Sequence, residues 1–157
     1  MKFAADRMLG RLAKWLRILG YDTVYRKNLS DEGFISLARE GRILLTRNTS
    51  LRDRLPPEQS VFITSDHYQD QLVTVIKALS LKPVRDAFFS RCTVCNTVLE
   101  PAQDVEDEVP EYIWETQHKF SRCRNCGKVY WPGTHYERTF ERIKTLFRGR
   151  GIQILYR

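Results

Sequence analysis

Two C-x-x-C pairs, Cys92 with Cys95 in RCTVCN and Cys123 with Cys126 in RCRNCGK, account for every cysteine in the chain. A tight turn between paired cysteines points both sulfurs at one ion, and two such turns complete a tetrahedral shell with bonds of about 2.3 Å. Four thiolates close that shell. Its role is therefore structural, because no coordination position remains for a substrate, and zinc bound this way contributes on the order of 10 kcal/mol to folding a segment with little core. Disulfides and redox thiols are the alternatives, but no cysteine is left over for exchange and a reducing compartment disfavours bridges. The stretch from Asn96 to Arg122 is longer than the common spacing and leaves room for a strand or hairpin.

The compartment follows from the other end of the chain. MKFAADRMLGRLAKWLR has Asp6 and Arg7 interrupting any apolar run, and no later stretch approaches the ~18 apolar residues of a membrane span. A cytoplasmic protein without membrane contact is expected. The N-x-S triplet at Asn48 is then no glycosylation acceptor.

A length of 157 residues suits one domain or one and a half. Pro83, in SLKPVRDAF, stops a helix where the character of the sequence changes, predicting a unit over residues 1–82 and a ribbon with a C-terminal helix and short strand over 83–157. In the first unit, KFAA, DTVYR, RILLT and SVFITS read as strands. Between and after them, helical patterns run from Asp6 to Leu19, from the Ser30 N-cap to Gly41, and through DHYQDQLVTVIKALSL. Strands alternating with helices imply right-handed crossovers, and so an α/β fold with a parallel sheet sandwiched by helices.

Ligands of such sheets bind beyond the carboxyl ends of the strands. Asp6 follows the first strand, Asp31 the second, Arg47 and Asn48 the third, and Asp66 with His67 the fourth. Carboxylates gathered at one edge are what a magnesium or manganese site requires, since these ions take hard oxygen ligands and leave room for a phosphate. Each of the three acids also sits at a helix start, where capping amides and opposing the helix dipole is reason enough for it. Asp22 stands at the start of its strand, which places it at the opposite edge as a structural residue.

Net charge is +7 although residues 104–115, DVEDEVPEYIWE, hold six acids and no base. The rest of the chain is therefore more basic than its average, which favours a polyanionic partner. On the first helix Arg7, Arg11, Lys14 and Arg17 fall within an arc of about 120°, either an ordinary solvated face or a track for an RNA backbone. Arg122, Arg124 and Lys128 flank the second cysteine pair, with Tyr130 and Trp131 just beyond. Bases beside aromatics suit single-stranded RNA, although the two aromatics equally serve as the small core a ribbon needs. No Walker loop, dinucleotide fingerprint or nucleophile elbow occurs.

KFAADRMLGRLAKWLRILGYDT, SDEGFISLARE, GRILLTRN and the two cysteine pairs ending in CGKVYWPGTHYERTFERI resemble the Mut-7 C-terminal ribonuclease domain family, PIN-like nucleases fused to a zinc ribbon. The resemblance implies a PIN-like sheet and a metal-dependent ribonuclease centre, with acidic roles at Asp6, at Asp31 and at the position after LLTR. Asp66 rests on the strand-end argument alone. Proteins of this kind place an aspartate where this chain has Asn48, whose amide lacks the charge. Natural loss of strong catalysis, compensation by Asp66 or Asp53, and a laboratory substitution all account for it. The expectation is RNA phosphodiester hydrolysis by one or two divalent ions held by Asp6, Asp31 and Asp66, with Arg7, Arg11, Lys14 and Arg47 on the backbone. The alternative is a non-catalytic RNA-binding or ribonucleoprotein-associated module that kept the basic track and the ribbon.

Overall fold

Phe3, Ala4 and Ala5 are an apolar run too short for a helix, and in the computed structural model, which describes residues 1–157, they form most of β1 (Lys2–Ala5). It pairs in parallel with β2 (Asp22–Tyr25) on one side and β3 (Arg42–Thr46) on the other, and β4 (Ser60–Phe62) adds to β3, giving the order β2-β1-β3-β4. Alternation along the two central strands fills both faces. Phe3, Ala5 and Leu45 face a cluster with Leu12, Leu16 and Ile76, while Ala4 and Leu44 face a smaller one with Phe34, Leu37 and Leu51. The first cluster belongs to α1 (Gly10–Ile18) and α4 (Tyr68–Ala78), and the second to α2 (Asp31–Ser36), the 3-10 turn after it and α3 (Thr49–Arg52). The parallel sheet covered on both faces is the α/β architecture expected.

Two helices start later than their patterns suggest. Asp6 to Leu9 form a turn, with the Leu9 amide on the Asp6 carbonyl at 3.0 Å, so α1 begins at Gly10. Residues 66 and 67 likewise precede α4. Gly20 ends α1 in a left-handed conformation (φ +95°) and lets the chain touch residue 87: a Cβ there would lie 2.4 Å from the Ala87 carbonyl oxygen.

Beyond Pro83 the architecture changes. β5 (Glu100–Ala102), β6 (Phe120–Arg122) and β7 (Val129–Tyr130) form a small antiparallel sheet, with α5 (Glu111–Thr116) between the first two. The chain then returns. In α6 (Thr134–Gly149), Ile143 and Phe147 join the same core as α1 and α4. Leu155 also pairs with the backbone at Pro83 and Arg85, with both bonds 2.8 Å long. Pro83 therefore marks a change of architecture but not the start of a separate core. The acidic segment lies on the ribbon: Val105 is buried, Glu108 pairs with both terminal nitrogens of Arg122, and Trp114 stacks on Phe120.

Candidate active site and metal centre

The chain runs from β1 to β2 on one side and then crosses back to β3 on the other, so the carboxyl ends of β1 and β3 form the switch point where ligands of such sheets bind. Asp6 stands there, only 5% exposed. Its amide donates to the Leu45 carbonyl at 3.0 Å, fixing its backbone to the end of β3. Its carboxylate is clamped by three donors: Oδ1 accepts from the Met8 amide at 2.8 Å, and Oδ2 from the Thr46 hydroxyl at 2.5 Å and the Arg47 amide at 3.0 Å. A carboxylate offers about four lone-pair positions, so roughly one, on Oδ1, is left. Tyr25 holds the same turn from β2, its hydroxyl donating to the Arg7 carbonyl at 3.1 Å.

Asp6, Asp31 and Asn48 line one hollow, with Arg7 and Arg26 beside them and Leu29 and Phe34 as apolar wall. The hollow has a volume of about 10 Å³, room for one water or one cation. Asp31 opens α2 behind the Ser30 cap, whose hydroxyl accepts the Gly33 amide at 3.0 Å. Arg54 approaches Asp31 to 4.0 Å and Glu32 to 3.3 Å. Asn48 caps α3: its Oδ1 accepts from the Ser50 amide at 3.0 Å and from the Ser50 hydroxyl at 2.7 Å. Both lone pairs of that oxygen are thereby engaged.

Asp66 is not among the residues lining the hollow. Strand order is the reason: β2 and β3 flank β1, whereas β4 lies one strand further out. The Asp66 side chain is 72% exposed and faces His67 at 3.6 Å. No three acidic side chains bring ligand atoms within 4.8 Å of one another as the cysteines do. Two carboxylates beside space for one cation nonetheless fit a magnesium, which is held by one or two carboxylates and keeps several waters.

The expected basic track divides. Arg7 lines the hollow, and Arg11 and Lys14 are exposed on α1, the Arg11 guanidinium lying 4.0 Å from the Tyr68 ring centroid. Arg17 requires a correction. It is 6% exposed and donates to the carbonyls of Thr23 at 2.9 Å, Thr93 at 2.8 Å and Val94 at 3.3 Å, so it has no face for RNA. Burial pushes its pKa down, while the sulfurs of Cys92 and Cys95 and the Asp22 carboxylate push it up. The Arg47 backbone serves Asp6, and its Nε is buried without a hydrogen-bond partner. Arg122 is engaged by Glu108, Arg124 reaches Glu100 at 3.4 Å, and Lys128 stands 5.1 Å above the Tyr130 ring. Thr46, which clamps Asp6, and Arg26 went unassigned in the sequence. The threonine ending the RILLT strand beside the position of interest was the only available signal.

The four cysteine sulfurs lie within 4.8 Å of one another. Cys92 and Cys126 are 3.8 Å apart, about the edge of a tetrahedron with 2.3 Å bonds and well beyond the roughly 2.05 Å of a disulfide. Each pair is a tight turn closed by two backbone bonds: Asn96 to Cys92 and Cys92 to Thr97, both 2.8 Å, and Gly127 to Cys123 and Cys123 to Lys128, 2.7 and 3.0 Å. Asn96 and Gly127 take the left-handed backbone (φ +69° and +80°) such a turn needs. Further donors face the sulfurs: the Cys95 amide and Tyr130 hydroxyl on Cys92 at 3.3 and 3.1 Å, and Asn125 on Cys95 at 3.1 Å. Four converging sulfurs with polar donors behind them suit a structural metal such as zinc.

A family model described as Mut7-C RNAse domain matches residues 1–143, which takes in the hollow, all four cysteines and most of α6. Neither a curated protein nor a solved structure matches the chain.

Proposed function

The chain belongs to the Mut7-C RNAse domain family, and from that premise we propose that it hydrolyses RNA phosphodiesters at the hollow lined by Asp6, Asp31 and Asn48, using magnesium or manganese. The observation that carries this reading is the meeting of Asp6 and Asp31 at the switch point of the sheet, with Arg7 and Arg26 at the same hollow. A divalent ion bound there would supply an activated water and stabilise charge on the leaving oxygen. The protein's own residues do the rest. The free position on Asp6 Oδ1 and the Asp31 carboxylate would hold the ion, and Thr46 and the Met8 amide fix the Asp6 side chain so that its reach does not vary. Arg7 and Arg26 orient the phosphate. Leu29 and Phe34 wall off bulk water, which strengthens every charge interaction inside. Arg54, 4.0 Å from Asp31, would compete with such an ion for that carboxylate. Zinc at the four thiolates is proposed as the structural metal, in a reducing, cytoplasmic setting.

One observation favours a second reading, a non-catalytic RNA-binding module. The Asn48 oxygen is committed to Ser50 and carries no charge, so the hollow holds two carboxylates where three are expected. Cleavage of a single-stranded RNA with and without added manganese separates the readings. Under the nuclease proposal, cleavage needs the ion and Asp31→Asn, at a side chain 42% exposed, lowers it at least a hundredfold with the melting temperature unchanged within a few degrees. Salt-sensitive binding without ion-dependent cleavage is the outcome that favours the module.

A further inference from the structure

A second cleft, with a volume of about 530 Å³, opens where the ribbon, α1 and the start of α6 meet. That lies inside the range of about 300–1,000 Å³ typical of ligand sites. Its walls carry Lys14 of α1, Arg91, and Lys119 and Lys128 of the ribbon, and no acidic side chain lines it. Arg91 is committed to structure, donating to the carbonyls of Gly20 at 3.1 Å and Asn96 at 2.8 Å. The three lysines are not: all are exposed, and none is within 4.0 Å of a carboxylate. Three ammonium groups without ion-pair partners around one concave space give it a positive field that favours an anion.

The remaining wall is aromatic. Trp131, half-buried with its ring centroid 6.4 Å from that of Phe120, also lines the cleft. Phe89 and Tyr136 line it too, packed on each other at 3.7 Å between ring centroids. The first residues of α6 also line the cleft, and no side chain caps that helix. A ligand matching both walls carries phosphates and flat rings together, which is the chemistry of a single-stranded nucleic acid. A duplex hides its base faces in the stack and matches only the lysines.

We propose that this cleft is a single-stranded RNA subsite, with the phosphates along Lys14, Lys119 and Lys128 and a base stacked on Trp131. The choice of RNA as the polyanion rests on the reading above, but the subsite does not depend on catalysis at Asp6. Lys14 and Arg7 come from the same helix and the turn before it, so a strand seated in the cleft can continue along α1 past Arg11 to the hollow.

The test is fluorescence anisotropy of a labelled oligouridylate on the full chain, without added magnesium or manganese, so that cleavage plays no part. Lys119→Glu with Lys128→Glu is compared with Lys77→Glu and Lys82→Glu, an exposed pair outside the cleft with the same change of charge. The cleft pair is expected to weaken binding at least tenfold and the control pair less than threefold, with melting temperatures of both within a few degrees of the parent. Trp131→Leu is expected to weaken oligouridylate but not an abasic strand of equal length. Equal losses in the two charge pairs, binding of duplex RNA as tight as that of the single strand, or equal binding of the abasic and uridylate strands would each overturn the subsite. Loss of cleavage without loss of this binding concerns the hollow alone.

Discussion

Asn48 illustrates two demands made on one side chain. As N-cap of α3 it needs an acceptor oxygen, which an amide and a carboxylate supply equally well. As a neighbour of a cation it needs charge, which only the carboxylate supplies. Asn48→Asp therefore separates the roles: the bonds from Ser50 persist and one unit of charge is added. At about 4 Å and an effective dielectric near 20, that charge is worth on the order of 4 kcal/mol gross, and desolvation takes back a large part of it. The expected outcome is manganese affinity raised at least tenfold, followed by electron paramagnetic resonance titration, with the melting temperature unchanged. Asn48→Ala should instead lose the cap, about 1 kcal/mol, and lower the melting temperature by roughly 2–4 °C with little change in manganese affinity. The sequence marked this position, including its reading as a turn residue. It could not show that both lone pairs of the oxygen are engaged, since that depends on the side-chain torsions of Asn48 and Ser50. Asp22 was legible as structural, and its environment makes a pH prediction. Burial raises its pKa, but hydrogen bonds from Arg42 at 2.7 Å and Asn96 at 2.7 Å, with the charges of Arg42 and Arg91, bring it below the ordinary value. A depressed carboxylate stabilises the fold above its unfolded pKa of about 3.9, and that contribution is lost as pH falls through the folded value. Asp22→Asn should be less stable than the parent at neutral pH, and the gap should narrow below about pH 4 in paired thermal melts. Acid also drives metal release, but that is common to both proteins and cancels in the difference.

At the scale of elements, strand and helix types were legible because their periods differ, whereas the order of strands was not. Every strand end offered an acid or amide, and nothing in the pattern around Asp66 said that β4 lies at the sheet edge while β1 lies between β2 and β3. The start of α1 was missed for a related reason. Asp6 looks like a helix cap from its spacing, but its Oδ2 is drawn away by Thr46 and Arg47, forty residues along the chain, and the turn to Leu9 forms instead. Gly20 was legible as a helix stop, but not as a point of close contact. Gly20→Ala and Gly41→Ala distinguish these demands, since both glycines have positive φ (+95° and +79°) but only the first has an atom in the way, the Ala87 carbonyl oxygen at 2.4 Å. Gly41→Ala should show only the conformational penalty, on the order of 1 kcal/mol. Gly20→Ala should lose at least twice that in urea unfolding, because the backbone at Ala87 must move.

Over the whole molecule, the cysteine pairs announced the ribbon, but not that it is bolted to the α/β sheet. The first cysteine turn presents its carbonyls at Thr93 and Val94 to Arg17 of α1, and its Asn96 side chain both accepts from the Thr23 amide at 2.9 Å and donates to Asp22 at 2.7 Å. The exposed edge of β2 is thus closed by a side chain whose own position depends on the left-handed turn around the metal site. Nor did the amphipathic pattern of α6 name its partner, since an apolar stripe of Ile143 and Phe147 would suit any concave surface; it packs on the core of the first unit. The two regions should therefore share stability rather than hold it separately. Stripping the metal with a chelator should lower the melting temperature of the whole chain. It should also raise hydrogen exchange at the Thr23 amide at least tenfold, while the Asp6 and Ile63 amides, bonded to Leu45 and Thr46 at the far end of the sheet, exchange much less faster. Asn96→Gly, which removes the side chain but tolerates the left-handed backbone, should in the metal-loaded protein reproduce the change at Thr23 without unfolding the ribbon. Unchanged exchange at Thr23 in both experiments would mean that the ribbon folds and melts independently of the sheet it touches.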